Sequence, residues 1–113
     1  MGTVANMKAM TKKPSKTLAS ATALTLPTGE SSFFVSGTTT VASITAGRNP
    51  GRIVRLESST GTFSITDTAQ GSAAEGTITT GGGDRALAVG SHILLKQRSD
   101  YSWIEESNAV IVN

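Results

Sequence analysis

Short apolar clusters recur along this chain roughly every ten residues, each closed by Gly, Thr, Ser or Asn, which is the cadence of β-strands joined by tight turns. Phe33, Phe34 and Val35 end at Gly37, and Asn49, Pro50 and Gly51 form a turn that launches Arg52–Glu57. Side chains alternate faces along a strand, so Val54 and Leu56 share one face while Ile53, Arg55 and Glu57 share the other. Val54 and Leu56 are expected to point inward, as are Phe63 and Ile65 in the next cluster. Further strands are expected at 22–26, 77–80, 87–89, 91–97 and 101–105, with 110–112 as a last strand or a tail and Asp67 to Gly76 as a loop. Val41 and Ile44 lie three apart, so the stretch 38–45 is expected to be a bulged or bent strand. The fold class that follows is all-β: a compact, short-stranded sandwich, barrel or prism-like knob. No strict repeat unit is visible.

Composition limits how much core such a knob can build. Ile, Leu, Val and Phe number 24 of 113 residues, whereas Ser and Thr number 31 and Gly 12. Burial returns about 25 cal/mol per Å² of apolar surface, against roughly 1–2 kcal/mol per ordered residue in lost entropy. A homotrimer is therefore expected, with Val54, Leu56, Phe63, Ile65 and Ile93 in the protomer cores or between them. There is no cysteine, hence no disulfide, thiolate metal site or cysteine nucleophile. No apolar run approaches a membrane span, and Met1 to Met10 lacks the apolar core of a secretory signal. No membrane partner is expected.

The net charge of +2 hides an asymmetry. Lys8, Lys12, Lys13 and Lys16 all precede the first acidic residue, Glu30, while six basic and eight acidic side chains follow from residue 17 onward. Residues 1–17 are expected to be an extended basic arm, with a disordered, frayed terminus or a short helix at Val4–Met10 as the alternatives, and 18–113 the β-rich knob. The arm is the candidate partner-binding segment. Its cations Lys8, Lys12, Lys13 and Lys16 supply long-range attraction to an acidic surface. That attraction is screened beyond about 8 Å at physiological salt, so Val4, Met7, Met10 and Leu18 are expected to add apolar anchorage.

Residues able to do chemistry are few. His92 is the single histidine and sits beside the apolar run 93–95, where a strand position is expected. One His without Cys leaves no convergent metal set, and neither a calcium-loop pattern nor a Gly-x-Ser-x-Gly elbow occurs. Glu105 and Glu106 are adjacent, so a strand would send them to opposite faces. Gly81 to Asp84 reads as a turn, since no Gly-Lys-Ser/Thr follows it. Arg48, Arg52, Arg55, Arg85 and Arg98 lack the interleaved aromatics of a single-strand binder, so nucleic acid is not an expected partner. Neither catalysis nor a cofactor is expected.

The stretch 35–44 (VSGTTTVASI), the stretch 51–56 (GRIVRL), Gly83-Asp84 and the stretch 103–105 (WIE) occur in an order that resembles a β module of bacteriophage virion proteins found in tail fibres, tail spikes and head decorations. The resemblance covers roughly residues 32–107. It implies a compact β unit that commonly trimerises. Taken as a whole chain from Met1, a short basic arm with one knob and no coiled coil or collagen-like shaft fits a capsid cement or decoration protein, with the major capsid protein as partner and the capsid surface of the virion as location. A tail-fibre or tail-spike component that binds a receptor is the alternative. A sugar-binding module is the competing class, with Tyr101 and Trp103 as the available aromatic platforms.

Overall fold

The computed structural model describes residues 16–106. Ten strands follow one another: β1 Lys16–Ala19, β2 Ala23–Thr25, β3 Ser32–Ser36, β4 Ser43–Thr45, β5 Ile53–Thr60, β6 Phe63–Ile65, β7 Ile78–Thr79, β8 Arg85–Leu87, β9 His92–Gln97 and β10 Trp103–Glu105. A single 3-10 turn at Gln70–Ser72 interrupts the loop before β7. The all-β expectation holds, and the described residues contain no α-helix.

The first half of the described chain is wound rather than folded into hairpins. β1 pairs with β3 and β3 with β5, both in parallel, while β2 pairs in parallel with β4 and Val41 bridges Ile65 in parallel. Odd strands thus stack in one layer and even strands in the other. Lys16 sits opposite Phe33 and Phe33 opposite Leu56; Leu24 sits opposite Ile44. The spacing between partners is 17 and then 23 residues in the first layer, and 20 and then 24 in the second. Parallel neighbours need a crossover, and here the crossover is the strand of the opposite layer. The second half closes the winding by antiparallel pairing, β9 on β5, β10 on β9 and β8 on β6, with β7 added in parallel to β10. The larger layer has the order β1-β3-β5-β9-β10-β7.

The core lies between the layers. β5 shows the expected alternation: Val54, Leu56 and Ser58 are buried, and their neighbours are half-buried. On its outer face Arg55 Nη1 meets Glu57 Oε1 at 2.7 Å. Phe33 and Val35 of β3, Phe63 and Ile65 of β6, Leu24 and Leu26 around β2, Ile93 and Leu95 of β9, and Trp103 join one continuous apolar cluster. All five positions expected in or between protomer cores are inside this single-protomer core. Because Arg55 and Glu57 are paired at the margin of solvent, the Arg55→Ala variant is expected to lose no more than about 1 kcal/mol, measured by denaturant unfolding.

Several boundaries differ from expectation. Lys16 and Thr17 are the first residues of β1 rather than part of an arm. The bend at 38–45 resolves into an isolated bridge at Val41 and then β4, so that both Val41 and Ile44 turn inward despite their spacing. Leu87 is buried but Val89 is 62% exposed, because β8 ends at Leu87 and the chain turns before β9. Tyr101 belongs to a turn, and β10 begins only at Trp103. The strand expected at 110–112 and the helix alternative at Val4–Met10 lie outside the described residues.

Candidate functional site

Of the arm residues, Val4, Met7, Lys8, Met10, Lys12 and Lys13 lie outside the described residues. Lys16 and Leu18 are on β1, which among the described residues has a strand partner on one side only and is the edge of the larger layer. Lys16 is exposed. Leu18 is half-buried and packs against the core, so its side chain already serves the protomer.

The five arginines are held by their own chain. Arg48 forms a two-point pair with Glu75, its Nε donating at 3.1 Å and its Nη2 at 2.8 Å. Arg85 pairs with Glu105 at 2.9 Å. Arg52 Nη2 donates to the carbonyls of Pro27 and Glu30, and partial burial lowers its pKa from the ordinary arginine value. Arg98 Nε donates to Ser102 Oγ. The glycine loop 81–83 is exposed and tied at its base: Gly81 N donates to Glu105 Oε1, and beside it Thr80 N donates to Asp67 Oδ1 and Asp67 N to Asp84 Oδ1. An anion cradle needs free backbone N–H groups, and the Gly81 N–H is already given to a carboxylate. His92 is exposed on β9 beside Glu105 and Glu106 in a shallow cleft of about 120 Å³. Among the described residues no three His, Asp or Glu side chains gather as a metal ion would need.

A larger cleft, of about 360 Å³, opens elsewhere on the body. Ser43, Ile44, Thr45 and Ala46 form one wall, Glu75 and Gly76 a second, and Gln97 and Tyr101 the third. The walls approach closely because Gly76 has φ +87°, and a Cβ there would stand 3.1 Å from the Ile44 carbonyl oxygen. Gln97 is buried and rivets the floor, its Oε1 accepting from Asn49 N at 2.7 Å. Gly76 N donates to the Tyr101 carbonyl at 3.0 Å.

Tyr101 itself is the anomaly. The β9–β10 hairpin is closed by Tyr101 N donating to Arg98 O and Arg98 N donating to Ser102 O, a three-residue loop whose last position is left-handed. That position favours glycine, yet Tyr101 occupies it at φ +67°, as the only non-glycine residue of positive φ among those described. Such a backbone costs on the order of 1–3 kcal/mol. Arg48 stacks over its ring at 4.9 Å from the centroid, a contact worth about 0.5–1 kcal/mol at an exposed site, and so does not clearly offset the strain. Trp103, the other aromatic considered as a platform, is fully buried and unavailable.

Charge around the loop is organised by short hydrogen bonds. Asp100 Oδ1 accepts from Ser102 Oγ at 2.6 Å and from Ser102 N at 3.0 Å, which lowers its pKa from the ordinary aspartate value. The hydrogen bond from Arg48 lowers that of Glu75 in the same sense. A carboxylate with a depressed folded-state pKa stabilises the fold above its unfolded value and loses that contribution as the pH falls through the folded one. The melting temperature is therefore expected to fall in acid, with a shallower fall in Asp100→Asn, whose amide oxygen still accepts but does not titrate; thermal melts between pH 2 and pH 6 give the comparison.

The sequence signals the turn at Ser99-Asp100 but not its tyrosine wall. The missing signal is the absence of a glycine after Asp100 in a three-residue hairpin loop. Ser43 to Ala46 enter the cleft through the parallel winding, for which the sequence carries no marker. Compared with known proteins, the chain is matched by no family model, by no curated protein and by no solved structure.

Proposed function

We propose that this chain is a bacteriophage virion structural protein, a capsid cement or decoration protein that binds the major capsid protein and reinforces the head shell as a homotrimer. The observation that carries this reading is the continuity of the lysine-bearing segment with an edge strand. Lys8, Lys12 and Lys13 lead in sequence to Lys16, the first residue of β1, and among the described residues no strand pairs with the outer side of β1. A cationic strip that runs into an open strand edge is suited to lie across an acidic neighbour and to continue its sheet, the backbone supplying hydrogen bonds and the lysines long-range attraction. Contacts made only in the assembled shell stabilise that shell by mass action. The resemblance of residues 32–107 to virion β modules supports the same assignment.

The protomer core modifies how the trimer would hold together. Val54, Leu56, Phe63, Ile65 and Ile93 are already enclosed, and Val89 is the one large apolar side chain exposed among the described residues. The subunit contacts that the described residues can supply are therefore polar and backbone-mediated, and dilution is expected to separate the subunits without unfolding them. Light scattering is expected to give three protomer masses at high concentration, with an unchanged circular dichroism spectrum on dilution into the monomer range.

Electron microscopy of particles labelled with antibody against this protein tests the location. Label distributed over the head supports a shell component. Label confined to the tail tip replaces it with the receptor-binding tail component.

A further inference from the structure

We propose that the cleft bounded by Tyr101, Glu75 and Ser43–Ala46 is a binding site for a neutral saccharide of one or two pyranose rings. The inference is independent of how the protein is mounted, since none of these residues is on the arm.

Four observations converge on this cleft. Its volume, about 360 Å³, lies at the small end of ligand clefts, which run from roughly 300 to 1,000 Å³. That size suits a small ring system and excludes a helix or a folded partner. Its lining brings the hydroxyl-bearing Ser43 and Thr45 and the carboxylate-bearing Glu75 together with Ala46 and the aromatic Tyr101, while the buried Ile44 and Gln97 form the backing behind them. A pyranose has the complementary make-up, a hydroxylated rim around a C–H face. The walls are pre-formed: Gly76 permits the close approach of two backbones, and the buried Gln97 is fixed by Asn49. Finally, tyrosine occupies a backbone position where glycine would be unstrained. Strain kept at a cleft wall is a pointer to function when folding does not require the side chain.

Charge narrows the ligand class. Arg48 is the cation beside the cleft, and it is matched at 2.8 Å by Glu75. The pair offers planar donors and acceptors to vicinal hydroxyls while carrying no net charge, so neither a phosphate nor an ammonium group is favoured. Both partners are substantially exposed, which lets a hydroxyl exchange with either one.

The test is a titration of the isotopically labelled protein with glucose, galactose, mannose and N-acetylglucosamine, their disaccharides and glucuronate, followed by backbone amide chemical shifts. At least one neutral sugar is expected to saturate and to shift the amides of Ser43 to Ala46, Gly76 and Tyr101 together. Saturation by disaccharides but not monosaccharides assigns a polysaccharide as the source, and equal saturation assigns a free sugar. Tyr101→Gly is expected to melt no lower than the wild type while weakening binding at least tenfold, and Glu75→Gln to weaken it several-fold. Glucuronate binding tighter than every neutral sugar overturns the charge argument. No saturable shift at the cleft, or unaltered affinity in a folded Tyr101→Gly variant, overturns the site.

Discussion

Trp103→Ala is expected to lose about 3–5 kcal/mol of stability, the range for deleting a large core aromatic. This would be a large share of the roughly 5–15 kcal/mol that holds a typical domain together. Trp103 is fully buried at the point where β10 joins the larger layer, paired with Gln97 of β9 on one side and Ile78 of β7 on the other. Its loss would open a cavity beneath three strands at once. The indole Nε1 has no hydrogen-bond partner among the described residues, and an unsatisfied buried donor costs about 1–3 kcal/mol. Trp103→Phe removes that donor along with part of the volume, so the two effects oppose each other. Its net change is expected to stay within about 1.5 kcal/mol of wild type, as for well-tolerated apolar exchanges. Denaturant unfolding followed by far-ultraviolet circular dichroism separates the variants. An alanine variant as stable as the phenylalanine variant would contradict the packing described for β10.

The strands and the inward faces were legible in the sequence because alternation survives in a chain rich in Ser and Thr. Val54 and Leu56 are separated by Arg55, and Phe63 and Ile65 by Ser64, so the buried face of each strand is marked by contrast. The parallel winding was not legible. Its rungs are spaced 17, 20, 23 and 24 residues apart, so no constant period exists for a reader to find, and the crossovers are short strands rather than the helices that usually announce parallel pairing. Val89 misled for a local reason: it extends the alternation of Leu87, but Gly90 at φ +90° turns the chain before the pattern can continue. The cleft was hidden for both reasons together, since one wall depends on the winding and another on a tyrosine in a glycine position.

The second large effect concerns the arm. Removal of residues 1–15 leaves β1 whole, because that strand starts at Lys16. The truncated chain is therefore expected to keep the wild-type circular dichroism spectrum and melting temperature. It would lose Lys8, Lys12 and Lys13 together with Val4, Met7 and Met10, and with them both the long-range attraction and the apolar anchorage of the proposed contact. Arg48, Arg55 and Arg85 of the body are each paired with a carboxylate and so replace little of that attraction. A loss of at least a hundredfold in affinity for the shell is expected, equivalent to about 2.8 kcal/mol.

Co-sedimentation with undecorated phage heads tests the proposed attachment through the lysine-bearing segment. The full chain is predicted to pellet with the heads to saturation, and the chain lacking residues 1–15 to remain in the supernatant while still folded. If the truncated chain pellets to the same extent, the segment plays no part in attachment and the account is contradicted.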